Sequence, residues 1–581
     1  MRADRKWAIL TAFLLFPTIY ILPFLLTYMH IPFSPVPLGF SSDIYMYLNY
    51  TQLQIGTDGM AQNPWYHTDV PTSELVYLKF GLLNLFAWLN DLFGNLALTL
   101  IIWNWLWAAA TFLCAFFLFE KLSSDTKDYI VTLFGIALLF FFQISDAPMY
   151  FKGILHLSFD PDVLLPLQRT FFPQMATPLL FLYLYLLVEA FQKRKSLYWI
   201  LLFLVQYVAF INFPYNTILM GTVTFFAILF ALVAKESLPW KHLAIFAVAV
   251  IAADLVFLMD GAASGSSHRQ IFDIDPSRLY EIFGGTNIVL LLLTTIVFFL
   301  PDPRKFVKYT IAALGASQLL LQMSDIVFNP ALQLTHHFAY FVQKVIAILL
   351  FYIVVNLGRP IRTKTWLRVG TAAATLLLTT FGVLSAQAQA DAALSHHREN
   401  FQIYSTLKRL ELSEDDLVIA PSVTVNDIAT WLPLLFKSEV LFSRNSEFLL
   451  PNSKEGRDLY WQREALYLHL VGFDAEKLHE TLLGAESNDS DIMKIILVGQ
   501  RFDLFTARRE KLLKSTYEKI GRYLNRLEND PDSFREFLAN YKRVILIDHI
   551  DQPIFNNFHR LGTPSAVERS NGIFIRIYTL S

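Results

Sequence analysis

Apolar residues run in long blocks through the first two thirds of the chain and in short ones through the last third, and the pattern changes near Ala386. A block of ~20 apolar residues is what a helix needs to cross ~30 Å of hydrocarbon. Such blocks lie at residues 7–29 and 96–119, then near 129–144, 173–191, 197–210, 215–234, 242–259, 287–300, 306–323, 338–356 and 366–386. The pattern predicts a polytopic α-helical membrane protein with about 11 transmembrane helices in residues 1–386.

Residues 75–93 break the rhythm. Apolar pairs there alternate with Lys79, Asn84, Asn90 and Asp91, which predicts a helix lying in the membrane interface rather than crossing it. From Gln387 the chain is a different material. Short strand-like runs at 417–421, 495–499, 544–548 and 573–578 alternate with helical stretches such as 507–527, predicting a small α/β domain over residues 387–581 that folds independently.

With 54% hydrophobic and 17% charged residues and a mean hydropathy of +0.42, the chain is excluded from the ordinary soluble enzymes. The net charge of −2 conceals a segregation. Arg2, Arg5 and Lys6 precede the first block, and every second loop after the second block is basic: Lys121 and Lys127; Lys193, Arg194 and Lys195; Lys235 and Lys241; Arg304, Lys305 and Lys308; Arg359, Arg362, Lys364 and Arg368. The intervening loops hold few cations, chiefly Lys152, Arg169, Arg269 and Arg278. By the positive-inside rule the N-terminus and the basic loops are cytoplasmic, and an odd number of spans sends the C-terminal domain outside. The single cysteine, Cys114, lies in an apolar block, so the outer parts carry no disulfide, which suits a bacterial inner (plasma) membrane. There is no Walker loop, no GxGxxG and no zinc-spaced Cys/His set, and nothing marks nucleic acid as a partner.

The candidate chemistry therefore lies in the outer loops and the helix ends beside them. The long first outer loop, residues 30–95, opens with Gly39-Phe-Ser-Ser-Asp43-Ile-Tyr45, which sets a carboxylate just past the first helix. Between His30 and Glu74 there is no Lys or Arg, yet there are Asp43, Asp58, Asp69 and five Tyr or Trp residues. Loops of that length in compact proteins are usually functional or disordered. The loop after the third span holds Asp146, Lys152, His156, Asp160, Asp162 and Arg169. Asp160 and Asp162 flank Pro161, a spacing that fits either shared ligation of a divalent cation (Mg or Mn) or the capping of the next helix. Arg169 suits a bidentate hold on phosphate. Gln318, Gln322 and Asp325 fall at i, i+4 and i+7 on one face of the ninth span, and His336, His337 and Lys344 open the tenth, with His337 and Lys344 sharing a face. Polar groups at that depth line a cavity or bond between helices.

An N-in first span, a long first outer loop with an early acid, a juxtamembrane helix, an acidic loop after the third span and an outer C-terminal domain together resemble the GT-C class of membrane glycosyltransferases. The resemblance covers the whole chain. It implies transfer of a sugar from a polyprenyl-phosphate or related lipid-linked donor to a glycan, lipid or protein acceptor at the outer membrane face. On it, Asp43 matches the first-loop acid that takes the acceptor's proton, and Asp160 or Asp162 the second-loop acid, with Asp146 competing. Lys152, His156, Arg169, Arg269, His336, His337 and Lys344 are then the candidate holders of the donor phosphate, and Tyr45, Gln318, Gln322 and Asp325 the cavity lining. No cofactor beyond the divalent cation is implied. Two alternatives use the same features: a secondary transporter or flippase whose polar residues line a path, and a non-catalytic scaffold.

Overall fold

The computed structural model describes residues 3–30, 48–49, 51, 60–62, 66, 69–71, 81–123, 129–141, 174–212, 214–263, 285–324, 334–357, 365–421, 428–443, 454–483, 509–550, 553–570 and 573–580. The chain is mostly helical with a small C-terminal sheet region. It divides into a helical unit, Met1–Pro32 with Leu98–Ala393, and a sheet unit, Phe33–Ala97 with Leu394–Ser581.

In the helical unit, α1 (Ala3–Leu10) passes through a π turn into α2 (Phe16–Tyr20), and α3 (Leu22–His30) follows after a 50° bend. Pro23 explains the break, because it has no N–H to give and its ring crowds the carbonyl four residues back. α4 (Gly81–Phe93) belongs to the sheet unit. The helical unit continues with α5 (Leu96–Leu122), α6 (Tyr129–Phe141), α7 (Ala176–Lys193), α8 (Ser196–Asn212), α9 (Pro214–Val233), α10 (Trp240–Ala263), α11 (Gly285–Phe299), α12 (Lys305–Gln322), α13 (Leu334–Leu357) and the first part of α14 (Thr365–Arg409), whose residues from Leu394 on belong to the sheet unit. Among the described residues three stretches are long and apolar enough to cross a membrane: Leu96–Leu122, Tyr215–Val233 and Arg368–Asp391. The bent pair Asp4–Tyr20 and Leu22–His30 adds a fourth when taken as one span, and Tyr129–Phe141, Ser196–Asn212, Trp240–Ala252, Gly285–Phe299 and Phe341–Leu357 are shorter apolar helices.

Burial separates inner from outer helices. α7 and α12 are covered on nearly every side, and α12 packs against α7, α9, α11 and α13. The peripheral helices turn large apolar side chains outward, such as Val248 (67% exposed) and Leu376 (69% exposed). In water that surface would mark an association site, whereas against lipid it costs nothing. Close approach at α12 depends on Gly315, where a Cβ would collide with the Thr294 hydroxyl of α11.

Helix ends of this unit meet through ion pairs. Arg5 reaches Glu120 at 2.7 Å, Glu189 takes both Lys121 and Lys193 at 2.5 Å, and Lys305 meets Glu236 at 2.6 Å. Arg304 donates to the Lys121 and Leu122 carbonyls at 3.1 and 2.8 Å, satisfying acceptors that the end of α5 leaves open. Its guanidinium also grips Asp302 at 2.9 Å, and the Tyr352 hydroxyl donates to the same carboxylate at 2.5 Å. Burial alone would raise the Asp302 pKa, but these bonds outweigh it and hold the carboxyl well below its ordinary value. The basic segments around residues 5, 121, 193, 236 and 304 are thereby tied to one another.

The sheet unit contains an antiparallel pair, β1 (Met60–Gln62) with β2 (Asp69–Pro71), and a five-stranded sheet. Its strands are β3 (Asp416–Ile419), β4 (Glu439–Val440), β5 (Arg543–His549), β6 (Ala566–Ser570) and β7 (Ile573–Thr579), in the order β4-β3-β5-β7-β6. β3 is parallel to β4 and β5, while β7 is antiparallel to β5 and β6. Leu417, Val418, Ile419 and Val544 to Ile547 are all buried, as apolar runs covered on both faces should be. After the short α15 (Ile428–Trp431) come α16 (Lys454–Val471), α17 (Ala475–Leu483), α18 (Arg509–Asn529) and α19 (Pro531–Leu538), with α16, α17 and α19 packed on α18. α18 buries Leu513, Thr516, Ile520, Leu524 and Leu527, one stripe at helical spacing. α4 buries Leu83 and Phe86 and leaves Leu85, Trp88 and Leu92 exposed, the two-faced form of a helix made for an interface.

Candidate functional site

The polar groups that sequence places within the apolar helices are the part of the site the described residues reach. Ser317 and Gln318 are fully buried in α12, and Gln322 sits one turn further on, half-buried. Lys344 is 5% exposed in α13, which packs directly on α12. Its ammonium lies 5.6 Å from the Phe341 ring, and Val342, Val345, Ile346, Ala347 and Ile348 around it in sequence are all buried. An ionised lysine so placed would carry a desolvation cost of several kcal/mol, which makes the position a functional candidate. His336 and His337 fall in the first turn of α13, eight and seven residues before Lys344. Asp43, Tyr45, Lys152, His156, Asp160, Asp162, Arg169, Arg269 and Asp325 lie outside the described residues.

A second buried polar set has no sequence motif to announce it. The Tyr183 hydroxyl of α7 bonds to Thr224 of α9 at 2.6 Å and donates to Gln206 of α8 at 3.2 Å, while Asn216 donates to the Ala176 carbonyl at 2.5 Å. One tyrosine thus ties three helices together. Its only trace in the sequence is a few single polar residues inside apolar blocks, and nothing in their spacing says which of them meet.

The arrangement brings a lysine and side-chain amides into two packed, largely apolar helices. Such a set can hold an anionic head group at the edge of hydrocarbon, where few waters screen the attraction. Among the described residues no three His, Cys, Asp or Glu side chains gather as a metal site. In the sheet unit the buried ionisable groups include His397 and His469, each with its pKa depressed to about 4 by burial and, for His469, by Arg560 beside it. Asp548, buried near the end of β5, moves the other way: burial raises it, although three backbone N–H groups donate to it. Compared with known proteins, the chain matches no family model and no curated protein.

Proposed function

We propose that this chain is a GT-C-like glycosyltransferase that moves a sugar from a polyprenyl-phosphate donor to an acceptor at the outer face of a cell inner membrane. The observation that carries it is Lys344, a buried lysine in an apolar helix packed against the helix of Gln318 and Gln322. In this reading about 11 helices span the membrane, counting the shorter apolar ones. The tied set of basic segments supports a common cytoplasmic face, with the sheet unit outside.

The division of labour follows from chemistry. The leaving phosphate gains negative charge as the anomeric bond breaks, and Lys344 offsets that charge in a dry setting. Gln318 and Gln322 orient the head group through their amides. The acceptor hydroxyl is too weak an acid to attack unaided, so Asp43 takes its proton. A divalent cation, for which Asp160 and Asp162 are the candidate ligands, would add charge neutralisation at the phosphate.

The test is transfer from a panel of polyprenyl-phosphate sugars by the purified protein in lipid. Lys344→Met should lower kcat/KM by ~10²- to 10³-fold, the size seen when one preorganised donor is lost. Asp43→Asn should lower kcat by ~10²- to 10⁴-fold without moving the melting curve. Wild-type transfer with both variants near normal would remove these residues from the site. Absence of transfer from every donor, with substrate flux in proteoliposomes, would replace the proposal by a transporter.

A further inference from the structure

Arg463 of α16 is 5% exposed, and both terminal nitrogens of its guanidinium are engaged. It pairs with Glu439 of β4 at 2.6 Å, and the Tyr541 hydroxyl donates to the same carboxylate oxygen at 2.7 Å. It also donates to the Val440 carbonyl at 3.3 Å. The guanidinium carbon lies over the ring of Tyr66, 4.4 Å from its centre, and 5.5 Å from the centre of the Phe537 ring. Phe537 and Tyr541 come from the C-terminal part of the chain, whereas Tyr66 comes from the first outer segment. Tyr66 is 2% exposed, so it is a core residue of a domain from which it is remote in sequence. A second tie lies nearby in sequence: Leu48 and Asn49 are buried, and Asn49 donates to the Thr430 carbonyl at 2.8 Å. Two points of the first outer segment are therefore seated in the sheet unit, one of them on a guanidinium that is itself ion-paired.

We propose that Arg463 is a positioning residue for the transfer reaction: through Tyr66 it seats the first outer segment on the sheet unit, and transfer depends on that seating. The inference rests on the functional proposal above. Lysine cannot replace arginine here, because an ammonium keeps the charge for Glu439 but offers no flat face to Tyr66. Phenylalanine keeps the ring that meets the guanidinium, whereas alanine removes it.

The experiment uses the full chain in lipid nanodiscs and two readouts, hydrogen exchange of amides in residues 48–71 and sugar transfer. Tyr66→Phe, which keeps the ring, should stay nearer to wild type than Tyr66→Ala in both. Tyr66→Ala and Arg463→Lys should each speed exchange in that segment by ~10-fold or more, since local opening then costs less. Both should lower kcat by ~10²-fold, the penalty of misplaced reacting groups, with KM for the donor unchanged. The double variant should lose less than the two single effects added together, because both variants break the contact of Arg463 with Tyr66. Arg463 is buried among charged partners, so its lysine variant can unfold the domain; Tyr66→Ala leaves the Glu439 pair intact and carries the test alone if that happens. Exchange that is unchanged in Tyr66→Ala overturns the seating, and faster exchange with normal transfer overturns the positioning role. A wild-type protein that transfers no sugar overturns the functional proposal instead, a result the exchange data keep distinct.

Discussion

The helical unit turns its large apolar side chains outward and collects its ion pairs at helix ends, while the sheet unit buries its apolar strands and spreads charge over its surface. The side-chain chemistry is the same in both, and the solvent differs. In water, apolar area removed from contact drives folding at roughly 25 cal/mol per Å². In hydrocarbon that drive between helices is absent, and cohesion comes from close packing and internal hydrogen bonds. Gly315 against Thr294 and Tyr183 against Thr224 are the forms it takes here. The units should therefore break under different treatments.

Acid should separate them most. His397 and His469 have folded pKa values near 4 against an ordinary 6.5, so below pH 6.5 the unfolded state binds more protons than the folded one. The stability they contribute is complete above pH 6.5 and is lost progressively down to about pH 4. A tenfold change in proton affinity is worth ~1.4 kcal/mol, so each imidazole accounts for about 3 kcal/mol. Melting followed from pH 7.5 to 4 should show the sheet unit falling first, and equal pH slopes for the two units would remove the contrast. Next in size is Arg543→Ala. Asp416, 1% exposed at the side chain, would lose two bonds of 2.7 Å and keep only those from the Ser413 N–H and hydroxyl, and breaking a buried pair in this way costs up to ~3–5 kcal/mol. Urea titration of the sheet unit should register that loss, and a smaller loss in Asp416→Asn/Arg543→Ala than in Arg543→Ala would confirm its electrostatic origin.

In the helical unit, Gly315→Val should cost ~1–3 kcal/mol by overpacking, whereas Gly370→Ala, where a new Cβ meets nothing within 4 Å, should be neutral. Unfolding in detergent mixtures measures both, and equal effects would mean that close helix contact is not what holds this unit. The smallest change is at Trp88. Substitution by Cys should leave stability within ~0.5 kcal/mol. A nitroxide there, with Cys114 replaced by Ala, should be relaxed more by lipid-soluble oxygen than by a water-soluble chelate; the reverse order would put α4 in water.

Much of the fold is legible because burial leaves a period in the sequence. The runs at 417–421, 544–548 and 573–578 correspond to β3, β5 and β7, and the helical stretch at 507–527 to α18. The run at 495–499 lies outside the described residues. β6 escapes a reading by pattern because Ala-Val-Glu-Arg-Ser is an edge strand with Val567 half exposed, so no apolar alternation betrays it. β4 is two residues long, set by its neighbour β3 rather than by its own pattern. The change of composition near Ala386 does not end a helix. α14 continues to Arg409, since no Gly or Pro interrupts residues 387–409 and a helix needs no apolar residues to persist. The candidate site is legible only as residue types. That Gln318 and Lys344 sit on packed helices follows from three-dimensional contact, and so does the seating of Tyr66 on Arg463, which no local pattern encodes.

The bond from Asn49 to Thr430 joins residues 381 positions apart. At a synthesis rate of ~5–20 residues per second, roughly 20–80 s pass between the appearance of the first outer segment and that of the surface that receives it. For that interval Leu48 and Tyr66 have no core to enter, and the segment must survive as a nascent chain beside a growing membrane protein. Its freedom from Lys and Arg between His30 and Glu74 leaves it without a cleavage point for proteases that cut after basic residues, a property that matters only before the fold is complete.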